Sequence, residues 1–241
     1  NLNGVTGTGA SSGTTNIIND TLTNATSNPT NINYPILLTA NGCQNKDTIK
    51  ALINPTPKLN NIPTTAGRCG GNAFTYSATS ATTGATFAWT RAAITGITPS
   101  TNAQSSATIS ETLNNSTTSP IVVSYIYTTT INSCSGNDTI RDTIYPSPSL
   151  NSVKTATICS GTAFNYTATS ATAGTLFSWT RPVVTGITTT ATPGNGNIIT
   201  DTLQNTTTAP IIVRYIFTLS ANGCSRPDTV SITVNPRPKL N

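Results

Sequence analysis

Histidine and methionine are absent from this 241-residue sequence, only 8% of its residues are charged, and only two are tryptophan. Without histidine, the commonest general base and a common metal ligand are gone. The seven acids are Asp20, Asp47, Glu111, Asp138, Asp142, Asp201 and Asp228, mostly one per motif, so no catalytic carboxylate pair or calcium cage can be read from them. Enzymatic activity, a metal and a cofactor are therefore not expected. So few charges would suit a membrane chain, yet no apolar run approaches the roughly 18 residues a spanning helix needs. The 12 Lys and Arg are scattered singly and never cluster among aromatics, which argues against nucleic acid as a partner despite the net charge of +5. An initiator methionine and a signal peptide are also missing, so Asn1 is not expected to be a natural start and the sequence reads as part of a longer chain.

Thr, Ser and Asn dominate what is present. Thr with Val, Ile and Tyr favours extended structure, and the scarcity of Leu, Glu and Lys removes the usual helix formers. The expectation is an all-β chain with almost no helix.

Landmarks recur along it. Trp89 and Trp179, Cys69 and Cys159, and Cys134 and Cys224 are each 90 residues apart; Cys43 precedes Cys134, and Tyr34 precedes Tyr125, by 91. This divides the chain into residues 1–57, the C-terminal half of a repeat, and two complete repeats at 58–148 and 149–241. Half a sandwich exposes its inner face, so residues 1–57 are not expected to fold alone. The units are joined by Asn54-Pro55-Thr56-Pro57 and Tyr145-Pro146-Ser147-Pro148, with Asn235-Pro236-Arg237-Pro238 closing the last; paired prolines favour extended, semi-rigid connections.

In the last copy the alternation of apolar and polar residues predicts strands at 153–158, 163–169, 176–181, 198–203, 211–219 and 228–234. Phe177 and Trp179 alternate with Ser178 and Thr180, as Phe87 and Trp89 do one repeat earlier. Trp89, Trp179, Tyr34, Tyr125 and Tyr215 are the expected core anchors, since large rings bury most area in a polar strand. About seven short strands per 90 residues fit an immunoglobulin-like sandwich in each repeat.

Two positions depart from the pattern. Pro35 stands where the other copies have Ile126 and Ile216, and its missing N–H predicts an unpaired position or a bulge. Asp142 is in phase with the inward Ile140 and Ile144, which predicts a bulge or an edge position because a lone buried carboxylate is expensive. Asp138 and Asp142 read as solvated residues flanking a strand rather than as metal ligands, because the last copy has Ile232 in place of Asp142.

The combination of Ile158-Cys159-Ser160-Gly161, Trp179-Thr180-Arg181-Pro182, Asp201-Thr202-Leu203-Gln204-Asn205, Asn222-Gly223-Cys224 and Asn235-Pro236-Arg237-Pro238 resembles the PKD-like repeats of giant Bacteroidetes surface adhesins. These include SprB-like gliding adhesins exported by the type IX secretion system. The resemblance covers the whole chain. It implies a segment of a cell-surface filament displayed on the outer membrane, acting as a stiff stalk in adhesion or gliding. Its partners would be neighbouring repeats of the same polypeptide and, at the surface, glycans or other cell-surface components. A glycan- or cell-binding β-sandwich module is the alternative. Near-identical copies favour the stalk, since a binding site would be confined to one specialised unit with exposed aromatics.

The triplets Asp20-Thr21-Leu22, Asp47-Thr48-Ile49, Asp138-Thr139-Ile140, Asp142-Thr143-Ile144, Asp201-Thr202-Leu203 and Asp228-Thr229-Val230 are similar to the O-glycosylation motif of Bacteroidetes exported proteins. The resemblance makes Thr21, Thr48, Thr139, Thr143, Thr202 and Thr229 candidate acceptors. In each the aliphatic residue has core parity and the threonine points outward. Glu111-Thr112-Leu113 departs from the motif.

In an exported chain five cysteines suggest a disulfide framework with one partner missing. Two pairings compete. Within repeats, Cys69 would bond Cys134 and Cys159 would bond Cys224. Across repeats, Cys69 would bond Cys224, leaving Cys43, Cys134 and Cys159 to units outside the chain. Sequence order favours the first. Topology favours the second, because the first cysteine of a repeat precedes its second strand and the other precedes its last, at opposite ends of a sandwich over about 20 Å tall.

Overall fold

The computed structural model describes residues 4–8, 13–14, 16–63 and 67–238; Asn1 and the extreme C-terminus lie outside them. Every regular element among them is a strand. The first segment holds β1 (Val5–Thr8), β2 (Thr21–Asn24), β3 (Thr30–Ala40) and β4 (Cys43–Ile53). The second unit runs β5 (Arg68–Cys69), β6 (Ala73–Ser77), β7 (Thr86–Arg91), β8 (Ile97–Thr98), β9 (Asn102–Gln104), β10 (Thr108–Thr112), β11 (Asn114–Asn115), β12 (Ile121–Ile131) and β13 (Cys134–Tyr145). The third runs β14 (Thr155–Cys159), β15 (Ala163–Thr167), β16 (Leu176–Thr180), β17 (Gly194–Asn195), β18 (Ile198–Thr202), β19 (Ile211–Ala221) and β20 (Cys224–Asn235).

Both complete units are built alike. A five-stranded sheet, β5-β13-β12-β7-β9 or β14-β20-β19-β16-β17, faces a hairpin-like pair, β6–β10 or β15–β18. The first strand of each large sheet joins the last strand in parallel, with Cys69 opposite Tyr145 and Cys159 opposite Asn235. The alternation read from the sequence decides which side chains go in. Val213, Tyr215, Phe217 and Leu219 of β19 are fully buried, while Ile212 and Ile216 face out. Tyr125 sits edge-on to Trp89 at 5.6 Å and tilted against Phe74 at 5.5 Å; Tyr215 repeats this with Trp179 at 5.5 Å and Phe164 at 5.7 Å. Trp89 is buried and gives its indole N–H to the Thr108 carbonyl, whereas Trp179 and Tyr34 are only half-buried.

The long hairpins extend further than their apolar patterns. β20 begins at Cys224 because Asn222 (φ 51°) and Gly223 (φ 77°) form a two-residue turn that starts pairing at once. Asn41-Gly42 and Asn132-Ser133 do the same in the other copies. The first strand of the last unit is shifted to Thr155–Cys159 by its pairing with β20.

Asp142 is not at a bulge, and because β5 pairs with β13 only at Ile144 and Tyr145, β13 beside Asp142 has a paired neighbour on one side only among the described residues. Pairing of β12 with β13 runs unbroken through Val123 and Asp142, and the carboxylate is fully buried. It is tolerated because Arg68 on β5 meets it at 2.7 Å, the guanidinium lying 4.0 Å from the Phe74 ring centre. Asp138 is not merely solvated either, since its carboxylate accepts the Leu59 N–H at 2.7 Å. In the third unit the positions of Arg68 and Asp142 are held by Ile158 and Ile232, an apolar pair in place of an ion pair. Pro35 also needs no bulge. It lies opposite Thr48 in continuous register, and β3 pairs only with β4 among the described residues, which leaves its other edge open. On this hairpin Leu37, Leu38, Ile49 and Leu52 are each at least half exposed.

Burial pushes the Asp142 carboxyl above its usual range, against the pull of Arg68, so desolvation outweighs the attraction of the pair. Arg68→Ile or Asp142→Ile alone strands a buried charge and is expected to cost about 3–5 kcal/mol. The double variant recreates the apolar pair of the third unit and is expected to be neutral or to gain about 1–4 kcal/mol. Urea unfolding of all three variants checks the sign.

Candidate functional site

Three asparagines, Asn24, Asn115 and Asn205, hold the exits of the units. Each side-chain amide donates at 2.8 Å to the carbonyl four residues on and at 2.8 Å to the carbonyl near the end of the last strand, that of Ile53, Ile144 or Val234. Each side-chain oxygen accepts the N–H of the threonine two residues later at 2.9 Å. All three are buried. Sequence reasoning missed them, although Asn-x-Thr recurring at the repeat spacing was a legible signal. That triplet is also the N-glycosylation pattern, but here the amide nitrogen is buried and committed to backbone carbonyls.

The carbonyl that each amide fixes stands just before a proline linker, so the tie sets the direction in which the chain leaves. On the far side the next unit takes hold at once: the Leu150 N–H donates to Asp228 at 3.1 Å, as Leu59 donates to Asp138, and Lys154 pairs with Asp228 at 2.6 Å. Burial alone would raise the Asp228 pKa; Lys154 and the N–H groups of Leu150 and Thr229 bring it below its usual range. The second linker is thus anchored at both ends.

Across this joint Cys69 and Cys224 form a disulfide, with their Cα atoms 5.4 Å apart. Cys69 ends β5 at the exit end of the second unit and Cys224 opens β20 beside the tip of the third unit's long hairpin. Cys43 and Cys159 are exposed thiols and Cys134 is partly covered; none of the three is bonded. A polar cleft of about 340 Å³ flanks the linker, lined among others by Asn114, Thr117, Ser147, Asn151, Thr172 and Arg226. No lining residue is aromatic.

The remaining acids serve the cores. Arg91 meets Glu111 at 2.8 Å and donates to the Pro99 and Ser100 carbonyls at 3.0 Å; Arg181 meets Asp201 at 3.0 Å, and Asp201 accepts the Tyr215 hydroxyl at 2.7 Å. Burial would raise the Glu111 pKa, but hydrogen bonds from Arg91 and Asn102 hold it below its usual range. Burial, then the neighbouring carboxylate, pushes the Tyr125 and Tyr215 phenols far above theirs. Arg91 with Glu111, and Arg181 with Asp201 and Tyr215, are thus committed to one another. Among the described residues no three His, Cys, Asp or Glu side chains gather as a metal site would require, and no helix is long and apolar enough to cross a membrane.

Of the candidate acceptor threonines, Thr21, Thr48 and Thr202 are exposed and Thr139, Thr143 and Thr229 are half-buried. Their aliphatic neighbours Ile140, Ile144, Leu203 and Val230 are buried. Leu22 is half-covered, and Ile49 is 50% exposed, contrary to its core parity, although Ile32 on the same hairpin is buried.

A sequence profile of the PKD-like domain matches residues 69–148 and again residues 156–238. The chain belongs to the PKD-like domain family. Tandem PKD-like and immunoglobulin-like domains are typical of extracellular, adhesion-type proteins and are generally non-catalytic. No curated protein sequence matches the chain. Among solved structures it is similar to the insect immune protein hemolin, with 10% identity and a TM-score of 0.41, over 85% of this chain and 56% of hemolin. It is similar to the titin I-band fragment I67-I69, with 12% identity and a TM-score of 0.39, over 80% and 70% of the two chains. Extracellular domains 3-5 of Drosophila OTK give 10% identity and a TM-score of 0.38, over 86% and 71%. The chain therefore spans little more than half the length of hemolin.

Within the second complete PKD-like domain, Asn205→Ala would remove the partner of the Val234 carbonyl and of the Thr207 N–H, while the Ala209 carbonyl keeps the Thr207 hydroxyl. The expected loss is about 2–4 kcal/mol in urea unfolding. A loss below about 0.5 kcal/mol, the range of an ordinary surface substitution, would show that the tie does not hold the strand end.

Proposed function

We propose that this chain is a structural repeat segment of a long extracellular cell-surface adhesin or filament, in which the domains act as a stiff stalk. Residues 58–148 and 149–241 are its complete units, and residues 1–57 are the second half of another. The observation that carries this reading is the covalent joint: Cys69 and Cys224 tie successive units to each other instead of closing either one. A module that only presents a binding surface has no use for a fixed joint, whereas a stalk gains reach from one. The proline linker, anchored at both ends, supports the same reading.

By the same spacing, Cys43, Cys134 and Cys159 bond equivalent positions in units outside this chain, so that every joint of the array carries one staple. Its resemblance to SprB-like gliding adhesins of the Bacteroidetes supports the reading that such an array is displayed on the outer membrane after type IX secretion, with a role in adhesion and gliding motility. The six Asp-Thr-aliphatic threonines are its O-glycan acceptors. The stalk is favoured over a glycan-binding module because none of the exposed large hydrophobic side chains among the described residues is aromatic, whereas a sugar-stacking platform presents an open ring.

Non-reducing peptide mapping of the native protein tests the joint. The expected products are a Cys69–Cys224 peptide and links from Cys43, Cys134 and Cys159 to peptides of neighbouring repeats. A Cys159–Cys224 peptide would overturn the stapled joint.

A further inference from the structure

In each unit the two cysteine positions lie at opposite ends of one parallel strand pair. Cys69 stands opposite Tyr145 at the end of β13, and Cys134 opens that strand; Cys159 stands opposite Asn235 at the end of β20, and Cys224 opens it. The bond between Cys69 and Cys224 therefore joins the bottom of one first strand to the top of the next unit's last strand. Within each unit the first strand runs parallel to the last.

We propose that this bond reroutes tension, so that a pull on the chain bypasses the sandwich cores. Force entering at Arg68 reaches Cys69, crosses the sulfur bridge and continues down β20 to Asn235. The twelve residues of β20 are already extended, about 40 Å long at strand rise, and have little slack to give. Residues 70–223 lie inside a closed covalent loop. They include Trp89, Tyr125, Trp179 and Tyr215, with most of both cores, and none of them can be drawn out while the bridge holds.

The consequence for an array rests on the stalk reading above. With Cys134 and Cys159 bonded in the same way to the units before and after, each unit carries two covalent lines. One descends the unit's first strand and the other its last, and they exchange roles at every joint. The two lines are the strands that already pair in parallel, β5 with β13 and β14 with β20. Each line passes from one last strand through the linker to the next first strand, a stretch such as 134–159, without doubling back through a sandwich. The filament is then a two-stranded, nearly inextensible cable, with folded domains hung on it.

Optical-tweezers stretching of the full chain, held by its two ends, tests the bypass. The bridge spans a sequence separation of 155, so the oxidised chain should release about 540 Å less contour length than the same chain in dithiothreitol, at roughly 3.5 Å per residue. Cys224→Ser should behave without reductant as the reduced chain does. Mass spectrometry of the stretched preparation separates the two ways of failing. If Cys69 and Cys224 are found as free thiols, the stapled joint itself is wrong, and the bypass falls with it. If the bridge is intact yet reduction adds no length at the same force, the cores resist the pull without it, and the bypass is wrong while the joint stands.

Discussion

The geometry of this chain depends on a buried asparagine amide. In three successive copies, at Asn24, Asn115 and Asn205, it makes the same bonds to the carbonyl that precedes the proline linker. A hydrogen bond to a carbonyl that cannot reach water is worth more than the same bond at a surface. Because it fixes the last strand just before the chain leaves the unit, it also fixes the heading of the linker. Asp228 takes hold of the chain four residues past Pro146, at Leu150, so little freedom remains between the two anchors. Cys69 and Cys224 meet because the positions of their strands have been settled by these neutral and charged hydrogen bonds.

Composition forces this reliance on polar ties. With few charges and only a third of its residues hydrophobic, each unit gathers a core of about a dozen buried apolar residues. A domain of that size is marginal on apolar burial alone. The Arg91–Glu111 and Arg181–Asp201 pairs link the large sheet to the facing strand pair, and they also hold loop carbonyls, so a single arginine ties both layers to a loop. The second and third units solve one shared position differently: an ion pair from Arg68 and Asp142 in one, Ile158 and Ile232 in the other. That both sit in the same sheet register shows how little the fold depends on which pair fills the space.

The sandwich, its repeat length and the inward strand faces were legible because strand alternation and 90-residue spacing are local or arithmetic signals. The burial of Asp142 was not, because its partner lies on a two-residue strand that has no periodicity of its own. Setting the copies side by side could have exposed the pair, since both members change together to isoleucine. The buried asparagines were hidden by their residue type: Asn in a Thr-rich loop reads as a turn, and only recurrence at one offset distinguishes a structural amide from many solvated ones. The distance between cysteines was readable through strand length, which separates the two ends of a unit without any knowledge of side-chain contacts.

The joint also orders the events of folding. A bridge between residues 155 apart closes a very long loop, and in an unfolded chain nothing selects that pairing over those involving Cys43, Cys134 or Cys159. Strand pairing within a unit is far more local, and it places the two cysteines of each unit at opposite ends, where they cannot meet. Oxidation that follows the docking of two finished units therefore finds one partner within reach, while oxidation that precedes it has several. The repeat is arranged so that its covalent chemistry comes last and records an assembly already made.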